Sequence, residues 1–202
     1  MIPSVLLTNS LHTFNLISLL QMFKKFTVDD LSSTSQIKNS VQRSIIAQII
    51  EQYPPIELVI DDILPKKSFS VAKATDGIQL IIVNNEIKFF SIRDGPFFPT
   101  LKVLHQYPSI MSLTQLRVDK GAINFVLGGA NIMCPGFTSP GGSMPVPIEA
   151  DQPVAIYAEG KQHAMALGIT KMSTAQIKSV NKGIAVESVH FLRDGLWLTN
   201  SV

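Results

Sequence analysis

Cysteine is nearly absent from this chain of 202 residues: Cys134 is the single one. One thiol excludes an internal disulfide and a cysteine-rich zinc site, and a reducing, cytoplasmic compartment is the simpler reading. The four histidines are scattered, and neither H-E-x-x-H nor C-x-x-C occurs. Metal ligation therefore has no support in the sequence, and no cofactor is expected. G-x-x-x-x-G-K-[ST] and G-x-G-x-x-G are missing as well, which removes a P-loop and a dinucleotide fingerprint. Charge is scarce too: Asp, Glu, Lys and Arg make up 16% of the residues and the formal net charge is +2. A chain that binds polyanions through bulk charge is strongly basic, so any contact of that kind here rests on local basic patches and on shape. Internal repeats and low-complexity tracts are lacking. Apolar residues are what the chain has in quantity, at 46%, enough at this length for one core or two small ones.

The charge deficit is most pronounced at the start. Residues 1–21 contain no Asp, Glu, Lys or Arg, and Leu6, Leu7, Leu16, Ile17, Leu19 and Leu20 make them apolar. A secretory signal needs a positive start and an unbroken apolar core, but Asn9, Ser10, His12, Thr13 and Asn15 interrupt this one. The same interruptions leave no clean membrane span, so no membrane association is expected, and a presequence rich in arginine is excluded. The expectation is an arm that packs on the body as a helix or is poorly ordered.

Residues 22–112 read as an α/β unit. Ile37, Val41, Ile45, Ile46, Ile49, Ile50 and Tyr53 recur at helical spacing, with Ser35 as a nearby N-cap. Pro54 and Pro55 end that helix, since proline lacks the N–H and disfavours helix just before it. A second short helix is expected over 56–64. The period then changes to strands at 71–75, 78–83 and 86–92, joined through Asp76-Gly77 and Asn84-Asn85, pairs that tolerate positive φ in tight hairpins. Helix returns over 99–106. Residues 114–202 read as mainly β, with strands at 154–159 and 163–170, a helix over 173–180 capped by Ser173, a strand at 184–189, and a last strand containing Leu192 or Trp197. The crowd of Pro and Gly from Pro135 to Pro147 reads as loop.

The most informative run is 118–136. It reads as strand end, short helix, Gly128-Gly129 break, short strand and a Pro135-Gly136 turn, with Ala122, Phe125 and Val126 on one helical face. The glycines suit a left-handed C-cap, and backbone without side chains lets a ligand come close to N–H groups. A tight turn that merely uses two glycines fits the spacing equally well.

This run resembles the signature of the PUA domain, a small RNA-binding pseudobarrel. In the wider stretch four strings, Met22-Phe23-Lys24-Lys25-Phe26, Met133-Cys134-Pro135-Gly136, Ala158-Glu159-Gly160-Lys161-Gln162-His163-Ala164 and Asp194-Gly195-Leu196-Trp197, resemble the malignant T-cell-amplified sequence (MCT) family in order and spacing. The resemblance covers about 22–197 and leaves the apolar arm outside. It implies an α+β fold: an N-terminal α/β (pre-PUA) domain over 22–112 and a PUA domain over 113–202. It also implies a translation factor on the small ribosomal subunit that pairs with density-regulated protein and handles tRNA during initiation, reinitiation and recycling. A ribosome-biogenesis or RNA-modification accessory PUA protein is the alternative.

On that basis the expected RNA-binding residues are Lys120, Gly121, Ala122, Gly128, Gly129, Ala130, Asn131 and Lys161. Lys24, Lys25, Lys66, Lys67 and Arg93 are expected as further ribosome or tRNA contacts. Lysine grips phosphate and sets affinity, whereas specificity comes from shape and unpaired bases. Phe97, Phe98 and Tyr107 are expected in the core before they are expected to stack bases. Catalysis is not expected. Cys134 has no triad signature and reads as a small buried apolar residue. Asp61 and Asp62 are adjacent on a helix and point apart. His105 and His190 read as satisfied histidines in or near the core.

Overall fold

The computed structural model describes residues 23–66 and 69–202. The expected arm and Lys67 therefore lie outside the described residues. A short 3-10 turn, Val28–Asp30, leads into strand β1 (Leu31–Gln36) and helix α1 (Asn39–Gln52). Next come a 3-10 turn at Pro54–Leu58, α2 (Ile60–Ile63), β2 (Phe69–Ala74), β3 (Ile78–Val83), β4 (Glu86–Ile92), β5 (Phe98–Pro99), α3 (Leu101–Gln106) and a 3-10 stretch at Pro108–Thr114. The second half runs β6 (Gln115–Val118), a 3-10 turn at Lys120–Ala122, α4 (Ile123–Leu127), β7 (Ile132–Met133), α5 (Pro135–Thr138), β8 (Pro153–Ala158), β9 (Ala164–Thr170), α6 (Thr174–Val180), β10 (Ile184–Phe191) and α7 (Gly195–Leu198). The fold is α+β, as expected. One sheet has the order β1-β2-β3-β4-β5 and the other β6-β8-β9-β10-β7. The first is antiparallel throughout. In the second, only β6 and β8 run parallel.

Both hairpin turns form where the sequence placed them. Asp76 and Gly77 have φ of 60° and 79°, and Asn84 and Asn85 have 49° and 62°, the left-handed values that these residue types tolerate. Ser173 caps α6 by accepting from the Gln176 N–H, and Gln176 returns the bond to the Ser173 N–H.

Four local expectations need correction. Ser35 caps no helix; it lies in β1, and α1 begins at Asn39 with Lys38 making no side-chain cap. The helix expected over 56–64 divides at Val59, whose φ of −128° breaks it into a 3-10 turn and four α residues. Pro135-Gly136 opens α5 rather than forming a bare turn, since proline suits the first helical position. Leu192 and Trp197 are in no strand. Asp194 instead starts α7 by accepting from the Trp197 N–H at 2.8 Å.

Strand β8 is buried along its whole length because it has a core on each face. Ala155 and Tyr157 join the core of the first half, while Val154, Ile156 and Ala158 join a second core with Val118, Val126, Cys134 and Phe137. The period-two alternation of a strand divides them. At the junction, Phe23 packs edge-on against Phe90 with ring centroids 4.8 Å apart, and Phe90 meets His190 at 5.8 Å. The Gly195 N–H donates to the Phe23 carbonyl at 2.6 Å. A Cβ on Gly195 would lie 2.1 Å from the Phe26 carbonyl oxygen, so only glycine lets the N-terminal turn lie on α7. Gly195→Ala should therefore lower stability by about 1–3 kcal/mol, the usual range for overpacking, as read by urea unfolding.

Glu187 is buried on β10 with Oε2 3.8 Å from Lys171 Nζ, and Oε1 has no hydrogen-bond partner among the described residues. Burial raises its carboxyl above the usual carboxylate value, against a smaller opposing pull from Lys171. The folded state thus holds this proton more tightly than the unfolded one. Stability falls as pH rises from the unfolded carboxylate pKa through the raised folded one, and the loss persists above it. Glu187→Gln should be more stable than the parent at neutral pH, with the gain disappearing below the ordinary carboxylate range in pH-dependent thermal melts.

Candidate nucleic-acid interface

The run after β6 is built from caps. Asp119 accepts from the Ala122 N–H at 2.9 Å and starts the Lys120–Ala122 turn. That turn feeds α4, which is five residues long. Adjacent helical residues diverge by about 100°, and the core takes Val126 while Phe125 turns out to solvent, 69% exposed. The expected shared face of Ala122, Phe125 and Val126 is thereby corrected. The sequence already held the signal, since two adjacent large apolar residues on so short a helix rarely share one buried stripe.

Gly128 retains right-handed geometry with φ of −83°, and Gly129 is the left-handed residue with φ of +83°. The Gly129 N–H donates to the Val126 carbonyl and the Ala130 N–H to that of Phe125, the paired bonds of a Schellman ending. A Cβ on Gly129 would lie 2.7 Å from the Phe191 ring. The close approach that glycine permits here is therefore made by the protein's own aromatic side chain. Asn131 Oδ1 accepts from the Ser188 N–H at 3.0 Å and ties the loop to β10. Lys24 Nζ donates to the Gly128 carbonyl at 3.4 Å and ties it to the N-terminal turn.

Beside the Schellman turn a depression of about 550 Å³ opens. Ala122, Phe125, Met133 and Pro135 supply apolar lining, and Asp119 and Asn131 supply polar groups. Phe125 and Met133 are both largely exposed. Of the residues expected from sequence, Gly121, Ala122, Ala130 and Asn131 line it; Gly128, Gly129, Lys120 and Lys161 do not.

The two lysines lie on neighbouring turns, linked where the Glu159 N–H donates to the Val118 carbonyl. Lys120 is exposed, with Nζ 3.8 Å from Glu159 Oε1. Glu159 leans over Gly141, where a Cβ would collide with its carboxylate. Lys161 follows Gly160, which has φ of +71°. Its carbonyl accepts from the Arg117 guanidinium at 3.0 Å, and the same guanidinium holds the Ala158 carbonyl at 2.7 Å and lies near the Tyr157 ring. Arg117, Glu159 and Phe125 are the residues that sequence reasoning missed. Arg117 and Glu159 act on turns distant in sequence, which leaves no local pattern.

The remaining basic residues are dispersed. Lys25 is exposed next to Lys24. Lys66 pairs with Asp61 at 3.4 Å, both exposed. Arg93 donates through Nε to the Asp76 carbonyl at the hairpin turn. None of them lines the depression. Phe97 and Phe98 are core, and Tyr107 is half-buried against it. Cys134 is fully buried, its thiol directed at the Lys182 carbonyl. His190 is engaged by Asp194 at 2.7 Å, and His105 donates to the Ala164 carbonyl. Among the described residues no three of His, Cys, Asp and Glu gather to hold a metal, and no helix is long and apolar enough to cross a membrane.

This geometry agrees with what the chain is similar to. Residues 23–108 match the Pre-PUA-like domain and 114–192 the PUA domain. A hypothetical protein from the archaeon Pyrococcus horikoshii superposes with a TM-score of 0.66 at 27% identity, over 82% of this chain and 98% of that one. The class is a PUA-domain protein with a pre-PUA half. The Drosophila melanogaster homolog of malignant T-cell-amplified sequence 1 is 52% identical over 90% of this chain and 100% of its own. Malignant T-cell-amplified sequence 1-A of Xenopus laevis is 51% identical over 87% of this chain and 97% of its own. The chain belongs to the malignant T-cell-amplified sequence family.

The two glycines should respond differently to substitution. Gly129→Ala meets both the left-handed backbone and the Phe191 ring and should cost about 1–3 kcal/mol. Gly128→Ala should cost clearly less in the same denaturant titration.

Proposed function

We propose that this protein is a non-enzymatic, RNA-binding translation factor of the small ribosomal subunit. It would act in initiation, reinitiation and recycling, positioning or releasing tRNA as a heterodimer with density-regulated protein. The body is read as two domains, 22–112 and 113–202, with the second presenting RNA to the decoding region. The observation that carries this reading is the open apolar depression at the end of β6, edged by the exposed Phe125 and Met133 and neighboured by the exposed Lys120 and Lys161. An exposed ring beside a shallow apolar floor suits the flat face of an unpaired base, and nearby ammonium groups suit the phosphates on either side. The subunit, the tRNA and the protein partner are part of this proposal and rest on the family resemblance alone.

The experiment is RNA binding at several salt concentrations. The Lys120→Ala/Lys161→Ala double variant should flatten the plot of log affinity against log salt by about 0.7 for each lysine that meets a phosphate, so its loss is largest at low salt. Phe125→Ala should weaken binding by about 1–3 kcal/mol at every salt concentration and leave the slope alone. Unchanged affinity in both variants removes the groove assignment. Glu159→Gln should tighten binding at low salt, because it releases Lys120 from its carboxylate. Alone, the chain should bind RNA at roughly 10⁻⁴–10⁻⁶ M, the range of non-specific contact. Density-regulated protein should tighten that, and a titration without change counts against the heterodimer. Co-sedimentation with mature small subunits supports translation; migration with precursor particles supports the biogenesis alternative.

A further inference from the structure

A second cavity, of about 450 Å³, lies where the two halves meet, and it shares no lining residue with the Phe125 depression. β4 and α3 bring Glu86, Lys88 and Lys102 to it, and the C-terminal segment brings Trp197. Lys88 Nζ sits 2.6 Å from Glu86 Oε2, with the lysine side chain only 18% exposed. The hydrogen bond and charge of Lys88, with a smaller pull from Lys102, hold the Glu86 carboxyl below its usual value. Lys102 Nζ donates to the Thr199 carbonyl at 2.6 Å and to Asn200 Oδ1 at 3.1 Å. Two ammonium groups thus face one carboxylate, which leaves the crevice with a surplus positive charge.

Two further features are independent of that charge. The Trp197 and His105 rings lie 5.3 Å apart and tilted, both on the crevice lining. His190, fully buried, also belongs to the lining. Its Nδ1–H donates to Asp194, and its Nε2 has no hydrogen-bond partner among the described residues. A buried ring nitrogen without a partner forfeits a hydrogen bond unless something else supplies it.

We propose that this crevice binds a single nucleotide. Lys88 and Lys102 take the phosphate, and Trp197 and His105 offer the aromatic surface for the base, with His190 in the wall behind them. The volume lies within the range of small-molecule sites and is too small for a nucleic-acid helix. Ammonium groups recognise phosphate as point charges, and base stacking on an aromatic ring tolerates any base. The nucleotide is either free or the terminal unit of an RNA strand; the recognising chemistry is the same.

Trp197 is the only tryptophan of the chain, so its fluorescence reports on this crevice directly. The full chain is titrated with AMP, with adenosine and with a short oligoadenylate. A saturable change with AMP that weakens about tenfold or more for adenosine supports a site for free nucleotide. A saturable change with the oligonucleotide alone supports an RNA end. Lys88→Gln and Lys102→Gln should each weaken binding by about tenfold, while Phe125→Ala should leave it unchanged and so separate this site from the RNA groove. No saturable response to AMP or to the oligonucleotide overturns the proposal, as does adenosine binding as tightly as AMP. The three titrations need only the parent protein, so together they decide the matter even if a lysine variant fails to fold.

Discussion

One buried carboxylate organises the segment on which the Phe23–Phe26 turn packs. Asp194 accepts from His190 Nδ1 at 2.7 Å, from the Phe191 N–H at 3.0 Å and from the Trp197 N–H at 2.8 Å. A carboxylate taken out of water is costly unless its lone pairs are met, and three donors meet them here. The same group therefore ends β10, starts α7 and fixes the imidazole against Phe90. Gly195, the next residue, leaves room for the backbone of Phe26. Removing the carboxylate would loosen a strand end, a helix start and a ring contact together, so these features are energetically coupled rather than additive.

That junction reaches the candidate interface by two physical links. Phe191, whose N–H is held by Asp194, places its ring against Gly129 and so supports the Schellman turn. Lys24, next to the buried Phe23, donates to the Gly128 carbonyl of that turn. Cations near helix C-termini are favourable because the last carbonyls lack intrahelical partners. The loop beside the depression is thus braced from the core by an aromatic ring and from outside by an ammonium group. A preorganised loop loses less entropy when it meets a ligand, which matters in a protein with so little charge to offer. With Lys120 partly neutralised by Glu159, the surface presents an apolar shape more than an electrostatic field.

The parts legible in the sequence were those governed by local chemistry. Helix α1 followed from its apolar period and from Pro54; the two hairpins followed from residues that accept positive φ; α6 followed from Ser173. Strand β1 was not legible, because Leu31–Gln36 is polar and exposed beyond its first residue. It shows no alternation, and its pairing with β2 alone makes it a strand. The last strand was expected around Leu192 or Trp197; Trp197 is β-prone, yet it lies in α7. The determinant was Asp194, a buried acid whose role as a cap depends on donors assembled from β10 and α7. At the interface, the position of the turn was legible and the orientation of its side chains was not. Gly128 and Gly129 look alike in sequence, yet only one takes the left-handed conformation. Phe125 was expected to share a helical face with Val126, yet Val126 is buried and Phe125 is exposed.

The strings that carry the family resemblance divide accordingly. Phe23 and Phe26 are buried wedges, Asp194 and Gly195 form the junction, and Cys134 fills the second core. These residues are explained by packing alone, without reference to any ligand. Met133, Pro135 and Gly136 line the depression, and Glu159-Gly160-Lys161 forms the turn beside it. The first group accounts for the fold. The second group and exposed Phe125 are the ones open to contact with another molecule, because solvent-facing apolar surface has no packing role to account for it. A small set of side chains that the core leaves free is thus held in place by a larger set that it does not.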